Sequence, residues 1–308
     1  MEKKCWYKEM AVYQIWCRSF CDGNGDGIGD LWGVLSKLDY IASLNVDGIW
    51  FSPLYPSPNA DYGYDISDYK NIHPDFGNLE VFKQVLDGAH ERGMRVFMDL
   101  VVNHSSDEHE WFKESRKSKN NPYRDYYYWR PGKGKKRPPN NWDSLFEGRA
   151  WEYDKATDEW YMHIFSKKQP DLNMSNPKVR EEVKDIMRFW LDMGVEDVIT
   201  YIAKADGLPS AKVKLPAATG MQYYTNLPKV HDYLAEFKRD VLDFYDCFTV
   251  GEGPRMEPEV ALSYVREGKD KVLDMMINFA HMEADCFITD FLQRPFDLVK
   301  LKKAFTKW

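Results

Sequence analysis

Short apolar runs alternate along this chain with longer stretches whose apolar residues recur at helical spacing. Ala11–Trp16 (AVYQIW) reads as a strand, and Leu31–Leu44 as a helix with Leu31, Val34, Leu35, Leu38 and Ile41 on one face. Asp47–Ser52 (DGIWFS) is a second strand, Leu79–Arg92 a helix built on Phe82, Val85, Leu86 and Ala89, and Arg95–Val102 (RVFMDLVV) a third strand. Continuous apolar runs of this kind suit parallel strands, which are buried on both faces. The rhythm breaks over residues 104–176, which are polar, aromatic and locally basic. A structureless loop of that length is rare, so a small inserted subdomain is expected there. The rhythm resumes at Pro177. A helix is expected over Val179–Met193, a short strand over Val195–Ile199 and a helix within Tyr224–Tyr245. A strand from Phe248 to Val250 then leads into Gly251-Glu252, followed by a strand over Lys271–Phe279 and a helix over Pro295–Trp308. About six β/α units in series, with polar residues at the strand C-termini, predict an α/β fold of the (β/α)8-barrel type, incomplete, with its chemistry on that face. Residues 1–103 and 177–308 would form the barrel and 104–176 the insertion.

The 308 residues carry a net charge of −7, with 44% hydrophobic and 30% charged residues. This is a globular balance, and without a basic block it argues against nucleic acid as the partner. No apolar run reaches the roughly 18 residues of a membrane span. The lysines near Met1 precede no apolar stretch, so no signal peptide is expected. Five scattered cysteines suggest neither a disulfide framework nor a zinc site, and the expected location is a reducing cytoplasm. Aromatic residues reach 15%. Many stand beside Asp, Asn and Gly, as rings that stack on sugars do, although composition alone favours core packing. The basic run Arg130–Pro139 is expected to be a solvated loop.

Three segments carry candidate chemistry. In Asp22-Gly-Asn24-Gly-Asp26-Gly-Ile28-Gly-Asp30, oxygen donors recur at alternate positions and glycines permit a tight turn. The side chains with the Ile28 carbonyl suit Ca²⁺. Gly33 stands where an EF-hand has its twelfth-position Glu, so a true EF-hand is rejected; a metal-free Gly/Asp turn is the alternative. Asp99-Leu-Val-Val-Asn103-His104 closes a strand and can present His104 to a hydroxyl, or hold it as a structural histidine. Glu252, directly after an apolar strand, is a general-acid candidate whose burial would raise its pKa.

Together, VYQIWCRSFCDGNGDGIGD, GIWFSPLYPSP, DYGYDISDY, DLVVNHSSDEHEWF, FSKKQPDLN and FTVGE, in this order, resemble the α-amylase family of glycoside hydrolases (family 13), and within it oligo-1,6-glucosidases and related α-glucosidases. The resemblance runs from Trp6 to Trp308. It implies a retaining exo-α-glucosidase acting on short α-glucosides without an organic cofactor. Glu252 would be the general acid/base. His104 would contact the terminal sugar, Asp61 and Tyr64 would fix and stack it, and Gln169 would line the pocket. Asp22, Asn24, Asp26, Ile28 and Asp30 would form a structural calcium loop. Val198 implies a preference for α-1,6 linkages. Sucrose-isomerising and trehalose-forming relatives share these motifs, which leaves transglycosylation open. The absence of a membrane span excludes a transporter-associated relative.

Two departures qualify the implication. The family motif G-V-D-G-F-R-M-D-V-I corresponds here to Gly194-Val195-Glu196-Asp197-Val198-Ile199, and Tyr201–Pro209 continues the family pattern. This alignment makes Asp197 the nucleophile and omits four residues before it, including the supporting Arg. The chain also stops at Trp308 before any Asn-His-Asp motif, so a third carboxylate and strands seven and eight are expected to be missing. The alternative to an active glycosidase is therefore an impaired or inactive family remnant.

Overall fold

The computed structural model describes residues 6–134, 137–146, 148–200, 220–225, 227–253, 256–285 and 295–308; the side chains of residues 197–200 and 283 lie outside that description. In chain order the elements are β1 (Val12–Ile15), α1 (Cys17–Phe20), α2 (Leu31–Ser36), α3 (Leu38–Ser43), β2 (Gly48–Phe51), α4 (Leu79–Glu91) and β3 (Arg95–Leu100). Then come α5 (Glu110–Ser115), β4 (Trp129–Arg130), β5 (Trp151–Asp154), β6 (Glu159–Met162), α6 (Pro177–Met193) and β7 (Asp197–Thr200). The chain closes with α7 (Lys229–Asp240), β8 (Phe248–Gly253), α8 (Pro258–Val265), β9 (Met275–Asn278) and α9 (Leu298–Lys307). It divides into two compact units, residues 1–101, 182–200 and 237–249, and residues 102–181, 201–236 and 250–308.

In the first unit β1, β2, β3 and β7 pair in parallel in that order. On both faces of these strands Ile15, Ile49, Phe51, Val96, Phe97 and Met98 are almost wholly buried. α4 forms as its spacing predicts: Asn78 accepts the Val81 N–H at its start, and Phe82, Val85, Leu86 and Ala89 are buried. The expected single helix over Leu31–Leu44 is instead two short ones, α2 and α3. The Ser36 hydroxyl donates to the Gly33 carbonyl, so the Lys37 N–H bonds to Val34 and Leu35 and Lys37 leaves the helical region. Leu31, Val34, Leu38 and Ile41 remain buried across the break, which is why the apolar spacing conceals it.

At the far edge of the same unit Glu196 anchors β7. Its Oε2 accepts the Val96 N–H at 2.8 Å and lies 3.1 Å from His90 Nε2, while Arg95 lies 3.6 Å from Oε1. Its own N–H reaches the Val96 carbonyl, and its carbonyl accepts the Phe248 N–H where β8 begins.

In the second unit the later half of β8 pairs in parallel with β9, with Val250 opposite Met275 and Glu252 opposite Ile277. The segment expected to be an insertion holds an antiparallel sheet in the order β4-β6-β5. Its core is aromatic: Tyr128, Trp142, Trp151, Trp160 and Tyr224 pack with Met162 and Ile164. Arg124 stacks 3.6 Å above Trp129 and pairs with Glu159. Much of the aromatic excess is thus spent on packing. In the basic run, Arg130, Lys133 and Arg137 are exposed, and Lys135 and Lys136 lie outside the described residues. No helix among the described residues is long and apolar enough to cross a membrane.

Candidate active site

In the first unit the site residues gather around Asp99, the fifth residue of β3. Its Oδ1 accepts the Trp50 indole N–H at 2.7 Å and its Oδ2 the Tyr64 hydroxyl at 3.0 Å, while the Tyr55 hydroxyl donates to its backbone carbonyl. Tyr64 reaches it through a tight turn in which Tyr62 and Gly63 adopt positive φ. The buried Asp65 carboxylate holds that turn by accepting the Ser57 hydroxyl and the Ala60 and Asp61 N–H groups. Asp61 is half-buried on the same turn. Sequence reasoning set Asp99 at a strand end without giving it a role and missed Trp50 and Asp65. An acid penultimate in an apolar strand was the available signal.

In the second unit His104, Gln169, Asn103 and Asp171 are brought together, each 4% exposed or less. Gln169 Nε2 lies 3.0 Å from His104 Nε2, and the Asn103 amide lies 3.2 Å from His104 Nδ1 and 2.6 Å from Asp171 Oδ1. Phe165 meets the imidazole edge-on with 5.2 Å between ring centres. Burial drives the Asp171 carboxyl well above the usual range, against the Ile164 N–H and the Asn103 amide, which lower it. The motif holding Gln169 signalled this group, but Asp171 was not singled out.

Glu252, also in the second unit, is the fifth residue of β8 and is half-buried. Burial alone raises its pKa. The flanking Gly251 and Gly253 let the strand lie flat on Leu273 and Met276. A carboxyl of this kind retains its proton to higher pH than a free glutamate, as a general acid requires.

Asp197 is the first residue of β7, opposite Phe97, and Thr200, opposite Leu100, is the last. The expected nucleophile thus stands three residues before the strand end, roughly 10 Å at ~3.3 Å per residue. Glu196, just before it, is tied to Val96, His90 and Arg95, which holds the start of β7 in place. The side chains of Asp197 and Val198, and all of Tyr201–Pro209, lie outside the described residues.

The Asp22–Asp30 loop wraps its oxygens with backbone donors. Asp22 accepts from the Gly25 and Gly27 N–H groups, Asn24 Oδ1 from Asp26, and Asp26 from Ile28. The Gly27 and Gly25 N–H groups hold the Asp22 carboxyl below its usual range. Asp30 is fully buried, caps α2 through the Gly33 N–H and also accepts from Gly23 and Asn24. Gly33 answers to packing: a Cβ there would lie 1.9 Å from the Cys21 carbonyl oxygen. Asp22, Asn24, Asp26 and the Ile28 carbonyl are hard oxygen donors fit for Ca²⁺, with Asp30 the most committed to the backbone.

The sequence matches the family described as "Alpha amylase, catalytic domain" over residues 14–308. It is 52% identical to oligo-1,6-glucosidase of Parageobacillus thermoglucosidasius over 313 residues, covering 99% of this chain and 55% of that protein. It is also 52% identical to the Bacillus cereus oligo-1,6-glucosidase, covering 100% of this chain and 56% of that protein. Among solved structures, Bacillus licheniformis trehalose-6-phosphate hydrolase superposes with a TM-score of 0.91 at 41% identity, covering 98% of this chain and 55% of that one. The trehalulose synthase of Pseudomonas mesoacidophila gives 0.89 at 42%, with the same coverage. The chain spans about half the length of the curated relatives it matches.

Proposed function

We propose a function on one premise: this chain belongs to the α-amylase family of glycoside hydrolases, whose catalytic domain is a (β/α)8 barrel. The reading is a retaining α-glucosidase that releases glucose from the non-reducing end of short α-glucosides. Glu252 protonates the glycosidic oxygen as a carboxylate attacks the anomeric carbon, then takes a proton from the water that releases the sugar. In this reading the attacking group is Asp197. The resemblance gives Asp61, Tyr64, His104 and Gln169 the role of sugar-binding residues. Asp22, Asn24, Asp26, the Ile28 carbonyl and Asp30 hold a structural calcium ion, which supplies charge and rigidity to the loop and takes no part in bond breaking. Val198 beside Asp197 supports α-1,6 linkages, and no organic cofactor is called for.

The observation that carries the reading is the half-buried Glu252 near the end of β8, with its carboxyl raised by burial, as a general acid requires. Activity on isomaltose and an aryl α-glucoside, abolished by Glu252→Gln, is the expected result. Turnover unaffected by that change would sink it.

A second reading is favoured by the register of β7. With Asp197 opposite Phe97 instead of at the strand end, the chain would be an impaired relative that binds sugar without turnover. Silence on both substrates, with glucose still raising the melting temperature, selects it. The likeness to a trehalulose synthase makes sucrose a further substrate to assay for transglycosylation.

A further inference from the structure

We propose that Trp16 and Tyr62 form a two-ring platform that takes the second glucosyl unit of a short α-glucoside, next to the unit assigned to Asp61 and Tyr64. This deepens the functional reading above and rests on it.

The argument starts from the backbone. The turn that carries Asp61 and Tyr64 is closed by the Tyr64 N–H, which donates to the Asp61 carbonyl at 3.0 Å. Its two central residues, Tyr62 at φ 50° and Gly63 at φ 106°, both lie in the left-handed region. Asn-Gly is the pair that suits such a turn. Here a bulky aromatic residue stands in the first place, where a large side chain strains the backbone. The ring does not offset that strain by packing into the core, because Tyr62 is 71% exposed. Strain kept where the side chain meets solvent points to a use for that side chain.

The neighbouring ring is Trp16. The two ring centres lie 6.2 Å apart with the planes at 78°, an edge-to-face pair. Trp16 is itself 41% exposed, so the pair forms an open corner of two nearly perpendicular rings. A pyranose has an apolar C–H face and a rim of hydroxyls. In such a corner its face lies on one ring and its edge against the other, with the hydroxyls left to water. The corner also stands in the right place. Trp16 directly follows Ile15, the last residue of β1, and so lies at the C-terminal end of that strand. The turn reaches Asp99, near the same end of the parallel strand β3, through the Tyr64 hydroxyl. That is the end of the strands where a barrel carries its chemistry. One turn thus directs Tyr64 at Asp99 and presents Tyr62 to solvent. A single exposed ring would call for no explanation. A paired one, on a strained backbone between two candidate sugar-binding residues, does.

The test is calorimetric titration of the full chain with glucose and with isomaltose, in a Glu252→Gln background so that isomaltose is not consumed. Isomaltose should bind more tightly than glucose. Tyr62→Asn removes the ring while keeping a residue that accepts positive φ. It should weaken isomaltose binding about threefold to tenfold, the worth of one aromatic stacking contact, with glucose binding and melting temperature not reduced. Trp16→Leu should shift isomaltose binding in the same direction, and Tyr62→Phe, which keeps the ring, should bind it as the parent does. Parental isomaltose affinity in Tyr62→Asn or Trp16→Leu overturns the platform. So does an equal loss for both sugars, which is what a disturbed turn would give. In either case glucose binding by the parent leaves the sugar site of the functional reading standing. If the parent binds neither sugar, both fall. The expected split in affinity from a chain without turnover upholds the platform and sinks only the glucosidase.

Discussion

The Tyr64 hydroxyl donates to Asp99 Oδ2 at 3.0 Å, tying the turn after β2 to the end of β3. Trp50 Nε1 occupies the other oxygen at 2.7 Å. Asp99 is 5% exposed, so each donor satisfies an acceptor with little access to water. Tyr64→Phe and Trp50→Phe should each cost about 1–3 kcal/mol of stability, read as a lower urea midpoint at unchanged slope. No change in Tyr64→Phe would mean that the hydroxyl does not hold Asp99.

Burial raises the Glu252 carboxyl above its unfolded value. The folded state therefore holds its proton where the unfolded chain has released it. The cost appears as pH rises through the unfolded pKa, grows to the folded one and is constant above. Glu252→Gln should remove this cost, making the variant more stable than wild type at neutral pH and equal to it in acid. Melting temperature against pH checks the sign, and equal stability of the two proteins at all pH values contradicts it.

For Asp22 the sign reverses. The Gly27 and Gly25 N–H groups lower its pKa, so its contribution is present above the unfolded pKa and disappears as pH falls through the folded one. With the proposed calcium ion, a chelator should lower the melting temperature and added calcium restore it. Asp22→Asn and Asp26→Asn should weaken that response, whereas Ile28→Val should not, because position 28 offers only its carbonyl.

Gly33→Ala should cost about 2–4 kcal/mol, since the new Cβ would meet a backbone oxygen that no rotamer can move. Asp30→Ala should cost about 1–2 kcal/mol as a lost helix cap, and more if the Gly23 and Asn24 N–H groups find no water. Chemical denaturation measures both, and a neutral Gly33→Ala would place α2 farther from Cys21.

By itself the sequence determined the parallel strands, the α4 face and the family, because these are written as local periodicity and as ordered motifs. Tertiary structure alone decided two other matters. The absence of a Cβ at position 33 depends on a carbonyl twelve residues earlier in the chain. The start of β7 is held by Glu196 bonding to Val96, a residue one hundred positions away. Each is a contact between segments whose separate patterns look ordinary, so no window of sequence contains it.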